Sequence, residues 1–161
     1  MLEAVIIYLS IIFGKFLYAL ANEEIKPGVK YIMAGRNGLI LLVAIALIHS
    51  NFGLISILFT FFGLAAFIFL RRFSNLVYFL IGSATFLVLL TQDYMILMSF
   101  ILLLAMTHSS MSSNKKELFA ATIYFVLPFS LILIETFIKG NLGIFTSFIA
   151  GGLLAQLKKG P

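Results

Sequence analysis

Apolar residues fall into seven long runs separated by short polar breaks: 4–21, 31–49, 52–70, 76–92, 94–108, 118–138 and 142–157. Within each run they are continuous rather than alternating, which predicts helices and excludes the strands of a transmembrane barrel. The runs are close to the ~20 residues that a helix needs to cross a hydrocarbon layer of ~30 Å. The breaks carry turn chemistry or charge: Pro27-Gly28 within 22–28, Ser50-Asn51, Arg71-Arg72, Gln92-Asp93, the Ser-rich 109–117, and Lys139-Gly140-Asn141. The pattern predicts an all-α integral membrane protein, a single polytopic domain folded as a seven-transmembrane helical bundle.

The slightest break is Gln92-Asp93. Without it, 76–108 would be one helix of ~50 Å, far longer than the hydrocarbon core. Cationic residues decide the point independently. With seven spans, Lys26, Lys30, Arg36, Arg71, Arg72, Lys115, Lys116, Lys158 and Lys159 share one side, only Lys139 lies on the other, and Lys15 is inside a span. Because the side rich in Lys and Arg stays cytoplasmic, the N-terminus is placed outside and the C-terminus inside. The chain opens Met1-Leu2-Glu3 and its first lysine is residue 15, so the first run lacks the basic start of a cleavable signal and is read as a retained span.

Composition narrows the functional classes. Of the 161 residues, 62% are hydrophobic and 11% charged, with a mean hydropathy of +1.15, which excludes a water-soluble globule. Seven spans leave no room for a domain outside the membrane. There is no cysteine, hence no disulfide framework, thiolate metal site or cysteine nucleophile. The net charge of +5 is read as an orientation signal and as an attraction for anionic lipid headgroups at the inner face, with no nucleic-acid partner. Tryptophan is absent, so Tyr18, Tyr31, Tyr78 and Tyr94 are assigned to the interfacial belt, and the 18 phenylalanines to packing and lipid contact.

Gly143, Ser147, Gly151 and Ala155 recur every four residues and form a ridge of small side chains, the signal for close helix–helix approach in lipid. It faces either the bundle interior or another subunit, a second copy included. Asn51-Phe52-Gly53-Leu54-Ile55 echoes Asn141-Leu142-Gly143-Ile144-Phe145, and Gly63-Leu64-Ala65-Ala66 echoes Gly152-Leu153-Leu154-Ala155. This raises a 3+1+3 plan of two parallel repeats. In layout alone it resembles the SWEET sugar transporters, but the Pro-Gln motif is missing.

Polar groups inside spans are the candidates for chemistry. Lys15 and Tyr124 are set at equal depth, and Pro128 cannot donate to the Tyr124 carbonyl, so a contact between Lys15 and Tyr124 is one expectation and snorkelling of Lys15 to the surface the other. Near the outer face, His49, Gln92, Asp93 and Glu135 combine imidazole and carboxylates, either as a site or as polar helix ends. His108 with Ser109 and Ser110 is read as an inner-boundary cap. No metal-ligand spacing, phosphate loop or nucleophile elbow occurs, so neither a cofactor nor a metal is predicted. Three functions follow for a protein of the cell membrane: a non-catalytic subunit or scaffold of a membrane complex, a small transporter or channel for an uncharged or weakly polar solute, or a lipid-modifying enzyme using the outer polar group.

Overall fold

The computed structural model describes residues 2–49, 53–70, 75–91, 95–111 and 115–157. All regular structure among them is helical: α1 (Leu2–Leu20), α2 (Asn22–His49), α3 (Leu54–Leu70), α4 (Leu76–Leu89), α5 (Met95–Ser109), α6 (Lys115–Val126), a 3-10 segment (Leu127–Ile134), α7 (Glu135–Gly140) and α8 (Leu142–Leu154). Since α6, the 3-10 segment and α7 follow one another without a break, the described residues form seven helical rods, which fall in the seven apolar runs. Leu2–Leu20, Pro27–His49 and Leu118–Gly140 are long and apolar enough to cross a membrane; the helices of the other four rods are shorter.

Two local expectations need correction. The Pro27-Gly28 turn does not form: α2 starts at Asn22, two residues after α1 ends, and carries Pro27 in its interior. Pro27 is the sixth residue of that helix, so its missing N–H forfeits a single bond to the first turn, a cheap place for proline. The sixth predicted span is not one α-helix either. Pro128 breaks the i→i−4 ladder, and the chain continues as an eight-residue 3-10 run before α7 resumes. That is longer than the usual three or four residues.

Contacts between named residues fix the relative directions of the rods. Ser10 Oγ approaches the Leu102 carbonyl at 3.3 Å, and one turn further a Cβ on Gly14 would strike Met106 and Ser109. α1 and α5 therefore run parallel. The ring of Tyr78, at the start of α4, meets that of His108, at the end of α5, with centroids 5.0 Å apart, so those two are antiparallel. Gly82 against Phe125 and Phe86 against Phe129 step along α4 and rod six together, making them parallel. α1 is consequently antiparallel to α4 and α6.

The centre belongs to α4, in which twelve of the fourteen residues are buried. A helix that is apolar all round needs cover on every side, and α5, α6, the 3-10 segment and α8 supply it. Around it pack Ile7 and Ile11 of α1, Ile40, Val43 and Leu47 of α2, Ile101 and Leu104 of α5, and Leu153 of α8. Two hydroxyls inside this core are satisfied within their own helices: Thr85 Oγ1 donates to the Ile81 carbonyl at 2.8 Å, and Thr146 Oγ1 to that of Leu142 at 2.9 Å. The outside is equally apolar, with Phe61, Phe62, Phe69, Phe119 and Leu133 all exposed. Apolar side chains both within and without mark a helical bundle suited to solvation by lipid.

The small-residue ridge lies inside. Ser147, Gly151 and Ala155 are buried and Gly143 is half-buried. α3 and α8 pack most extensively of all pairs, since a Cβ on Gly151 would collide with the Thr60 carbonyl and one on Gly63 with the Phe148 carbonyl. Gly63 of the echoing segment and Gly151 of the ridge thus have a local cause: each lets the other helix's backbone in.

Candidate functional site

The residues singled out in the sequence do not form one site. Tyr8 Oη lies 2.9 Å from Thr122 Oγ1; Thr122 spends its own proton on the Leu118 carbonyl, so Tyr8 is the donor. This bond sets the register of α1 against α6. Lys15 is seven residues beyond Tyr8, toward the start of α6, while Tyr124 is two beyond Thr122 in the other direction, leaving ~13 Å of axial rise between the two backbones. Thr122, Phe125 and Phe129 turn toward α1, and Tyr124 is ~100° around the helix from Phe125. Lys15 and Tyr124, both half-buried, are therefore brought neither to one level nor to one face. Pro128 is buried near the start of the 3-10 segment.

Of the outer group, His49 is exposed at the end of α2. Glu135 pairs with Lys139 one helical turn later, at 2.6 Å. Gln92 and Asp93 lie outside the described residues. Among the described residues no three His, Asp or Glu side chains gather as metal ligands.

A different group emerges from burial. The buried stretches of α1 (Ala4 to Gly14), α2 (Arg36 to Leu47), α4 (Leu76 to Val88) and α5 (Met98 to Ser110) each span ~15–18 Å at 1.5 Å per residue. They define one buried layer with two ends. α1 leaves it after Gly14, and α2 enters it at Arg36 through a helix that starts two residues after Leu20. Arg36 heads the buried face of α2, and the end at which α1 exits is marked by Gly14. His108, Ser109 and Ser110 close the layer on α5 at this same end, as Gly14 against Ser109 requires, and Tyr78 opens it on α4. On α8, Gly152 packs against Leu80, and Phe137 meets Phe145 edge to face across the Asn141 turn, so α8 folds back along rod six and runs toward the start of α4. This carries Gln156, one turn beyond Gly152, to the level of Tyr78.

One end of the bundle thus holds interior polar groups of α4, α5 and the segment after α8: Tyr78 (2% exposed), Gln156 (8%) and the Ser109 and Ser110 hydroxyls, with His108 against Tyr78, while Arg36 (3%) is buried on α2. α2 packs on both α5 and α8, and so does α4, which closes the ring of supporting helices. Ser109 and Ser110 donate to the Met106 and Thr107 carbonyls at 3.0 and 2.9 Å, and Arg36 Nη2 donates to Asn37 Oδ1 at 2.9 Å. Gln156 Nε2 is buried with no hydrogen-bond partner. Lys15 lies toward the same end, as do Glu23 and Glu24 in the first turn of α2.

Sequence reading missed this layer because it counted Arg36 as a boundary charge and Tyr78 as a belt residue, and took no notice of Gln156. The available signal was the stripe Arg36–Ile40–Val43–Ala44–Leu47, a cation on the same helical face as four core residues. No family model, curated protein or solved structure matches the chain.

Proposed function

We propose that the chain is a seven-spanning protein of the cell membrane, N-terminus outside and C-terminus inside, acting as a non-catalytic subunit or scaffold of a membrane complex. The observation that carries this reading is the position of α4. A carrier or channel of this size needs its solute path near the bundle axis, and that place is taken by a helix packed on all sides with Leu80, Ile81, Ala84, Leu87 and Val88. A filled interior leaves the outer faces to do the work, and these are broad and apolar. The lipid-enzyme reading gains nothing from Glu135, whose carboxylate already faces Lys139.

The test is native mass spectrometry of the protein released from its own membrane in a mild detergent. The expected result is a species heavier than one 17.9 kDa chain by the mass of a further polypeptide, of another kind or a second copy. A lone protomer carrying only lipid, which on reconstitution moves a small uncharged solute across vesicles, would overturn the proposal.

A further inference from the structure

We propose that the cleft between α1 and rod six holds one acyl chain of a membrane lipid, entering from the leaflet at which α1 starts. Ala4, Val5 and Tyr8 line one side and Phe125, Val126 and Phe129 the other, around a volume of about 260 Å³. The two rods are joined at the deep end of this cleft, where Tyr8 Oη meets Thr122 Oγ1 at 2.9 Å. Beyond that bond, toward the start of α1, the walls stand apart for a reason written in both rods. Ala4, one turn before Tyr8, has only a methyl group to offer. The rings opposite are engaged elsewhere: Phe129 packs on Phe86 of α4 with centroids 5.8 Å apart and on Phe125 at 5.7 Å, while Phe125 packs on Tyr8 at 5.9 Å. Four rings in a row make a back wall anchored in the core, and none of the described side chains fills the space before it.

The occupant follows from the lining. No polar atom is exposed on the walls, so a ligand gains no hydrogen bond there, and an extended peptide would leave its N–H and C=O groups unpaired. The volume falls below the ~300–1,000 Å³ of pockets that enclose a drug-sized molecule, which leaves a stretch of hydrocarbon rather than a compact ligand. Both walls belong to helical segments long and apolar enough to cross a membrane, Leu2–Leu20 and Leu118–Gly140, and the rim residues Val5 and Val126 are exposed. The cleft therefore opens to the medium around these rods, and in a bilayer that medium is lipid tails. A tail lying in it exchanges contacts with mobile neighbours for contacts with fixed rings, and dispersion adds up over many such atom pairs.

The inference rests on the chain lying in a membrane and not on its having protein partners, so a failed search for partners leaves it intact. Full-length protein is reconstituted in phosphatidylcholine with a trace of phosphatidylcholine that carries a diazirine in one acyl chain. The sample is irradiated and the adducts are mapped by peptide mass spectrometry. Phe61 and Phe69, exposed on α3, report the ordinary lipid contact of the exterior. Adducts on the cleft residues are expected to exceed those on Phe61 and Phe69 by roughly threefold or more, the scale set by a handful of additional dispersion contacts. Ala4→Phe, which fills the cleft, should remove that excess and leave the α3 adducts unchanged. If Ala4→Phe fails to fold, Val5→Phe at the exposed rim decides alone. Equal labelling of the cleft and α3, or an excess that survives the substitution, would overturn the proposal. So would a benzoylphenylalanine at position 5 that captures a polypeptide in native membranes, which would give the cleft to a protein partner. Absence of adducts from the cleft and α3 alike would refute the membrane reading itself, a result distinct from equal labelling.

Discussion

At Gly151 the distance between two helices is set by a single hydrogen atom. Any Cβ there meets the Thr60 carbonyl and the Leu64 amide nitrogen, both of them backbone and unable to step aside. Gly151→Val should therefore cost about 1–3 kcal/mol, the usual penalty for overfilling a packed site, read as a lower unfolding temperature in detergent. Gly28→Ala, where no atom waits within 4 Å, should be harmless in the same assay. Ser147 makes the opposite case: its hydroxyl is buried in α8 with no partner, so Ser147→Ala should leave stability unchanged or raise it by up to ~1 kcal/mol. The ridge carrying these residues was legible, since spacing by four is a property of sequence alone. The burial of Arg36 and Gln156 was not. Whether a cation at a helix boundary looks outward or inward depends on the neighbouring rods, and no local pattern states which those are.

Among the elements, rod six departs furthest from expectation. Eight residues in the 3-10 form rise ~16 Å against ~12 Å as an α-helix, so the segment lengthens its rod by ~4 Å. Pro128→Ala restores the missing donor and should let the α-helix continue. Spin labels at Leu118 and Lys139 should then lie ~4 Å closer in pulsed electron resonance measurements; an unchanged separation would mean that packing of Phe125 and Phe129, not the proline, holds the 3-10 form. The existence and order of the rods were readable because long apolar runs have few alternatives. Their ends were less so. Pro27-Gly28 reads as a turn, yet α2 absorbs it, and 118–138 reads as one helix because a 3-10 segment has the same apolar composition as an α-helix.

For the whole molecule, the parallel run of α1 with α5 and their opposition to α4 and rod six accord with the alternation that seven crossings require. Because the chain has no cysteine, single thiols report topology without background. Asn141→Cys should react with an impermeant maleimide added outside cells, and Lys116→Cys only after the membrane is opened. Equal reactivity of both from one side would refute the proposed crossings.

α8 leaves the ribosome after every other element of the described chain, yet α3 has its largest contact with it, and α2 and α4 lean on it as well. Until α8 arrives, the notch around Gly63 stays open and α4 lacks one wall. Closure of this bundle is thus tied to translation through Asn141 and beyond, and a chain stalled before that turn would present quality-control proteases with an unfinished intermediate rather than a smaller version of the native protein.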